Sequence, residues 1–146
     1  MSFYWIVFTV LLISVSLFTQ HQEQSVRVTD YATVDSLSRN LLVYRSAAAV
    51  YAKANSTFTG FPSDTELNLP SWFSKPSGVA TYLADGQSYT FFSGSAPAGL
   101  QAALVERTRS VAVGVNRAGI LVSPTSGQTA IVLPPTIPEG AIVAVN

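Results

Sequence analysis

The sequence contains no cysteine and only one histidine among its 146 residues. Without cysteine, the chain has no disulfide bridges, thiolate metal sites, cysteine nucleophiles or cysteine-linked lipid anchors. Charge is also scarce, because charged residues make up 11% of the chain and eight acidic residues balance eight basic ones. Nucleic-acid binding requires clustered Lys and Arg, whereas the basic residues here are scattered from Arg27 to Arg117. The sequence therefore predicts no nucleic-acid partner.

The residue types that carry catalysis are too few and too dispersed to predict an active site. A Ser-His-Asp triad would have to recruit His21, which we expect to be an interfacial surface residue, and no G-x-S-x-G motif is present. The segment Gly94–Gly99 lacks the spacing and the lysine of a phosphate-binding loop. The remaining carboxylates of interest are dispersed through loops and one helix: Asp64, Glu66, Asp85, Glu106 and Glu139. We expect no enzyme, no cofactor, no metal site and no small-molecule substrate.

An uncharged apolar run, FYWIVFTVLLISVSLFT, occupies Phe3 to Thr19. A helix of that length spans roughly 26 Å, close to the ~30 Å hydrocarbon core of a bilayer. Tyr4 and Trp5 stand at one end, where aromatic rings favour the headgroup level. We therefore expect residues 1–22 to form a transmembrane anchor. A cleaved signal peptide is the main alternative and a buried core helix the third, but no basic residue precedes the run and no small-residue cleavage site follows it.

The sequence contains opposing signals for membrane orientation. The positive-inside rule, applied to Arg27, Arg39 and Arg45, would place the C-terminal part of the chain in the cytoplasm. A very short N-terminal tail ahead of a folded C-terminal domain, however, usually stays inside. We favour a single-pass protein of the inner membrane whose soluble domain lies in the periplasm.

A second, amphipathic helix is predicted after a polar connector, from capping residues at Thr29 and Asp30 to a point near Asn55. Its apolar residues alternate three and four positions apart, the a/d pattern of a coiled coil over about three heptads. This heptad seam comprises Val34, Leu37, Leu41, Tyr44, Ala48 and Tyr51. Because three heptads are few, we favour packing on the domain's own sheet over a coiled-coil contact with a partner. Residues 23–62 thus form the connector and the amphipathic helix.

Residues 63–146 are predicted to form a β-rich domain packed with that helix. Val79–Asp85 and Gln87–Ser93 predict a β-hairpin that turns at an Asp-Gly pair. A short helix is expected over Leu100–Arg109. Four further β-rich runs are Ser110–Val115, Gly119–Ser123, Thr129–Pro134 and Ala141–Val145. The predicted fold class is α+β, with a helix on an antiparallel sheet of four to six strands.

Trp72 and Phe73 lie in a loop rich in Pro and Ser ahead of the hairpin. Two adjacent large aromatic residues in a loop are candidates for an exposed docking patch. Half-buried core aromatics are the more common arrangement, because large rings dominate small cores. We retain both interpretations.

The predicted order of elements is similar to that of type IV pilins: an N-terminal transmembrane helix, a helix with a heptad stripe and a small antiparallel sheet. A prepilin, however, has a basic leader that ends in glycine, and a glutamate at the fifth position of its hydrophobic helix. Counted from Phe3, the fifth residue here is Val7, and no basic leader precedes it. We do not expect this chain to be processed as a pilin.

In length, in element order and in the stretches YWIVFTVLL and GILVSP, the sequence resembles the PilM family of plasmid-borne conjugative thin-pilus (type IVb) systems. These small inner-membrane proteins are unrelated to the actin-like cytoplasmic protein of the same name. The resemblance covers nearly the whole chain and implies a structural component of the pilin transport apparatus or pilus basal body, in contact with other membrane proteins of the pilus machinery. It carries over no functional residues. The alternative is a secreted or periplasmic binding module released by signal-peptide cleavage.

Overall fold

The structure is a computed structural model that describes the backbone of residues 2–146 and the side chains of residues 3–15 and 31–146. The chain divides into two compact units, Met1–Thr33 and Val34–Asn146. The first unit consists of helical residues, whereas the second contains a sheet and its covering helices.

Helix α1 spans Ser2–Ala54, so the structure has one helix where the sequence predicted two. Neither the polar connector over residues 20–24 nor the helix start expected at Thr29 interrupts the helical backbone. Glycine and proline are the strongest breakers of helices, and the first of each in the sequence are Gly60 and Pro62. The prediction of a separate second helix was wrong because polar residues alone do not terminate a helix.

Among the residues whose side chains the structure describes, no helix is both long and apolar enough to cross a membrane. The anchor expected over residues 1–22 stays a prediction, and its part from residue 16 onward lies outside the described side chains. The large apolar side chains described between Phe3 and Val15 are 50–80% exposed. The hydroxyls of Thr9 and Ser14 donate, at 2.8 Å, to the backbone carbonyl four residues earlier.

The second unit is built on one six-stranded sheet. The elements after α1 are β1 (Val79–Ala84), β2 (Gln87–Phe92), α2 (Leu100–Thr108), β3 (Val113–Arg117), β4 (Ile120–Ser123), β5 (Gly127–Val132) and β6 (Ile142–Val145). All neighbouring strands are antiparallel, in the order β1-β2-β6-β3-β4-β5. The predicted α+β class and antiparallel sheet are confirmed. Strand β6 lies at the centre, and all of its residues are buried.

The hairpin predicted from the sequence is confirmed. Strands β1 and β2 pair continuously from Val79 opposite Phe92 to Ala84 opposite Gln87. The two connecting residues, an Asp-Gly pair, have φ angles of 52° and 75°. Positive φ at both positions is what a type I′ turn requires, and that turn matches the twist of the paired strands.

The turn between β3 and β4 is shorter than predicted. The β-rich runs predicted from the sequence end at Val115 and resume at Gly119, whereas β3 extends to Arg117 and only Ala118 and Gly119 connect it to β4. The Asn116 side chain is buried: its Nδ2 donates to two carbonyl oxygens of the loop between β5 and β6 at 3.0 and 3.1 Å, and its Oδ1 accepts from the Gly119 amide at 3.0 Å. Asparagine is a residue type typical of turns. Asn116 can be buried in a strand because its side-chain amide is hydrogen-bonded to backbone groups.

Both faces of the sheet are covered. The helix-side core contains Leu41, Tyr44, Leu67, Val79, Leu100, Leu104, Val113, Ile142 and Ala144. The opposite core contains Tyr89, Phe91, Leu121, Leu133, Ile137, Ala141, Val143 and Val145. Of these, Leu133, Ile137 and Ala141 belong to the loop between β5 and β6. Ile142 and Ala144 of β6 pack in the helix-side core, and Val143 and Val145 pack in the opposite core. This alternation follows from the two-residue period of a strand.

Candidate functional site: the outer face of helix α1

The heptad seam of α1 lies against the chain's own core. Leu41, Tyr44 and Ala48 are at most 2% exposed, and the first two belong to the helix-side core. Leu37 and Tyr51 are half-buried and pack against that core. Val34 is also half-buried. In the second unit, these residues are thus directed towards the sheet and α2, so a different face of α1 is open to partners.

A second apolar stripe follows the outer face of the same helix. This outer ridge consists of Val43, Ala47, Val50 and Ala54, which lie four, three and four positions apart. Residues at such spacing share one face of a helix. Val43 and Ala47 are half-buried, whereas Ala54 is exposed and Val50 is 65% exposed. A valine this exposed in a helix interior contributes little to the fold, and it offers apolar area to a partner.

Two open depressions adjoin the outer ridge: all four ridge residues line the first, and Val50 also lines the second. The first has a volume of about 420 Å³ and lies between the ridge and the loop that follows α1, where Glu66, Asn68 and Pro70 form its other wall. The second has a volume of about 380 Å³; Ser46 and Val50 line both depressions. The second is further lined by Leu42, Arg45, Ala49, Lys53, Thr108 and Asn146. The outer face therefore carries two shallow depressions that meet at Ser46 and Val50.

The charges of the two depressions differ in sign. Glu66 is the one charged side chain among the described lining of the first depression, and it accepts a hydrogen bond at 3.0 Å from the Ser63 amide. The second contains Arg45 and Lys53. The Arg45 guanidinium donates from Nη2 to the Val145 carbonyl at 2.6 Å, and burial lowers the pKa of this guanidinium. The outer face thus has an acidic flank and a basic flank on either side of an apolar centre.

A polar cluster holds the loop after α1 against the helix. The Tyr44 hydroxyl donates to Asp64 Oδ1 at 2.6 Å, and Lys75 Nζ lies 2.9 Å from Asp64 Oδ2. The Tyr44 hydrogen bond, followed by Lys75, lowers the pKa of the Asp64 carboxyl. Burial, followed by the hydrogen bond and charge of Asp64, raises the pKa of the Tyr44 hydroxyl. The cluster links α1 to two points of the loop that forms one wall of the first depression.

The structure separates the two aromatic residues of the predicted docking patch. Trp72 is 70% exposed, whereas Phe73 is half-buried. The Phe73 ring stacks on Tyr44 with a centroid distance of 6.2 Å and meets the Trp72 ring edge-on at 6.3 Å. Phe73 therefore packs against the core, and Trp72 is the member of the pair available for docking. Trp72 lies two residues beyond Pro70, in the loop that walls the first depression.

Among the candidate catalytic groups whose side chains the structure describes, Asp64, Glu66 and Glu139 serve separate local contacts. His21 lies outside the described side chains. Asp64 and Glu66 serve the local contacts given above, and Glu139 Oε2 accepts from the Ala118 amide at 2.8 Å. Within residues 3–15 and 31–146, no group of three or more His, Asp or Glu could hold a metal ion.

Sequence reasoning did not identify the outer ridge, although a signal was present. Val43, Ala47, Val50 and Ala54 alternate as regularly as the heptad seam. The seam has large side chains such as Leu and Tyr. The alanines of the outer ridge, by comparison, make that face only slightly more hydrophobic than the rest of the helix surface. Small residues at the surface of a helix are compatible both with solvent and with a closely packed neighbour. The depressions next to the ridge distinguish these two cases, and the loop after α1 forms one wall of the first depression. The sequence does not specify the position of that loop.

Comparison with known proteins places the chain among thin-pilus proteins. Residues 7–145 match the family model described as PilM. A crystal structure of a pilM protein from Pseudomonas aeruginosa 2192 is 52% identical, with 77% of this chain and 92% of that chain covered and a TM-score of 0.51. A PilM protein from Escherichia coli B7A is 20% identical, with 80% and 93% covered and a TM-score of 0.60, a likeness that shows the fold alone. Among curated proteins, none matches significantly.

Proposed function

Because this chain belongs to the PilM family, we propose that it is a membrane-anchored structural component of the thin-pilus assembly and pilin-transport apparatus. In this role it has no catalytic function and acts through contacts with other membrane proteins of the pilus machinery. The observation that carries the proposal is the outer ridge, an apolar helix face that lines one depression and borders a second at Val50. Such a surface fits protein binding better than it fits chemistry.

The N-terminal residues supply the proposed anchor, with the soluble domain in the periplasm. The large apolar side chains described from Phe3 to Val15 are at least half exposed, so they can contact lipid. The hydroxyls of Thr9 and Ser14 already have carbonyl partners within the helix. A polar group that is satisfied within its own helix can enter an apolar medium at a lower free-energy cost than one that loses water without replacement. These features support residues 1–22 as a membrane segment.

The outer face of α1 is proposed to bind an amphipathic helix of another pilus-machinery protein. A helix fits because the ridge residues repeat at helical spacing and line a depression whose other wall is the loop after α1. Ser46 is small and exposed, and Ala47 is small and half-buried against the helix-side core, so neither side chain holds a second helix away from this face. Arg45 and Lys53 favour a partner helix with acidic side chains along the flank that meets the second depression.

Fractionation of a pilus-producing host tests the anchor. The expected result is an intact chain of 15.5 kDa in the inner-membrane fraction that resists carbonate extraction. Protease added to spheroplasts should digest the soluble domain if it lies in the periplasm. A shorter chain released into the soluble periplasmic fraction would contradict the anchor and would instead indicate a secreted binding module.

Isosteric substitutions test the absence of catalysis. Asp85→Asn and Glu106→Gln each remove one charge from an exposed side chain that lines neither depression. Each variant should still support piliation and conjugal transfer in liquid. Loss of transfer in one of them, with protein level and folding unchanged, would indicate a catalytic or ion-coupled role and would contradict the structural one.

A further inference from the structure

The second depression beside α1 is lined by two cationic side chains and by no acidic one. These are Arg45 and Lys53, and neither forms an ion pair with a carboxylate in the part of the chain that the structure describes. Arg109 and Arg117 likewise form none there, but both are exposed to water, whereas Arg45 is half-buried. The second depression therefore has a positive charge that no acidic side chain of its lining neutralises.

The Arg45 guanidinium is held in place but only partly hydrogen-bonded. Its Nη2 donates to the Val145 carbonyl at 2.6 Å, and its Nε is buried without a hydrogen-bond partner. Its Nη1 is not buried and makes no hydrogen bond to the described residues. A half-buried charge that has lost water without full replacement gains from a carboxylate on its open side. Because the bond to Val145 already orders the group, anion binding there loses little side-chain entropy.

The two cations stand at the ends of one row on α1. Arg45, Ala49 and Lys53 lie four positions apart, so they share one face of the helix. The ends of the row are about 12 Å apart along the helix axis. Ala49 lies between them, and its short side chain leaves the space above it to the second depression. Since arginine and lysine have long stems, both charged groups can reach one anion placed over Ala49.

The second depression continues into the outer ridge, because Ser46 and Val50 line both depressions. A partner helix on the ridge can therefore place a side chain in the second depression, and charge complementarity selects a carboxylate. We propose that one aspartate or glutamate of the partner helix binds between Arg45 and Lys53 and fixes the position of that helix along α1. Repeated small apolar residues alone permit several axial positions, whereas one charged contact permits one. This inference rests on the proposed function, because it assigns a contact within the proposed binding face.

Carbodiimide coupling tests for the carboxylate, because this reagent joins an amine to a carboxylate without a spacer. Membranes of a pilus-producing host that expresses the full chain are treated, and the linked peptides are identified by mass spectrometry. The expected product joins Lys53 to an aspartate or glutamate of another membrane protein of the pilus machinery. Lys75 Nζ lies 2.9 Å from Asp64 Oδ2, so their intrachain link is the control for the reagent. A link from Lys53 to its own chain or to a second copy would overturn the proposal.

Charge variants of the exposed Lys53 test whether the contact positions the partner. The readout is the yield of the adduct formed by a photo-crosslinking residue at position 50. Lys53→Glu should lower this yield about fivefold, the upper end for one exposed ion pair. Lys53→Arg keeps the charge but removes the amine, so it should retain the adduct and lose the carbodiimide product. Arg117→Glu makes the same charge change at an exposed residue outside both depressions and should have no effect.

The outcomes separate this inference from the proposed function. Equal adduct yields for wild type and Lys53→Glu, or no carbodiimide link at Lys53, would overturn the inference, while an adduct at position 50 would leave the proposed binding face intact. Absence of any adduct at position 50 would contradict the binding face and the inference with it.

Discussion

Asn116 connects the β3–β4 hairpin to the loop that covers one face of the sheet, and its replacement by alanine should destabilise the fold. The side chain is 3% exposed and makes three hydrogen bonds to backbone groups, at 3.0, 3.1 and 3.0 Å. A hydrogen bond between neutral groups contributes about 1 kcal/mol net, and a buried partner left unsatisfied costs about 1–3 kcal/mol. We expect Asn116→Ala to lower the free energy of unfolding by about 3 kcal/mol, a large part of the 5–15 kcal/mol typical of a domain.

Urea denaturation of the full chain in mild detergent, followed by circular dichroism, measures this change. The midpoint should fall while the dependence of the free energy on urea concentration stays the same. Asn55→Ala is the matched control, because Asn55 is exposed and its Nδ2 makes one local hydrogen bond, at 3.1 Å to the Tyr51 carbonyl. A decrease for Asn116→Ala no larger than that for Asn55→Ala would refute the assignment of Asn116 as the residue that fixes this loop.

Two further predictions concern the stability of the second unit. Gly114→Ala should destabilise by about 1–3 kcal/mol or more, because the added Cβ would lie 2.2 Å from the Val122 carbonyl oxygen of the paired strand; a midpoint of unfolding equal to wild type would contradict this. Since the folded-state pKa of Tyr44 is raised, the stability it confers is complete below about pH 10, the usual tyrosine pKa, and is lost as pH rises through the folded-state value. Tyr44→Phe should flatten that alkaline slope, and an unchanged slope would contradict the raised pKa of Tyr44, which burial and then the bond to Asp64 produce.

Local chemistry explains what the sequence predicted correctly. The Asp-Gly pair between two β-rich runs identifies the first hairpin because few residues tolerate positive φ at both turn positions. The short helix was predicted over Leu100–Arg109 and found over Leu100–Thr108, with Leu100 and Leu104 fully buried. These elements depend on interactions between residues that are close in sequence.

The remaining features depend on residues that are distant in sequence. Asn116 fell outside the predicted strands because the hydrogen-bond partners of its Nδ2 lie 21 and 22 residues away. The strand order, with β6 inserted between β2 and β3, has no signal in local periodicity. The outer ridge lines a depression only because the loop after α1 lies beside it. That loop contains Asp64, which accepts a hydrogen bond from the Tyr44 hydroxyl. Sequence reasoning therefore identified the inner face of α1 but not the candidate binding face.

The central claim, that the outer face of α1 binds another protein of the pilus machinery, is tested most directly at Val50. Val50 is 65% exposed and lines both depressions, so Val50→Asp should leave the fold intact. A photo-crosslinking residue at position 50 of the full chain, expressed in a pilus-producing host, should form an adduct with a membrane protein of that machinery. The same residue at position 111, where Val111 is 55% exposed, should form none. The account also predicts that Val50→Asp abolishes piliation and Val111→Asp does not. Absence of an adduct at position 50, together with normal piliation by Val50→Asp, would contradict it.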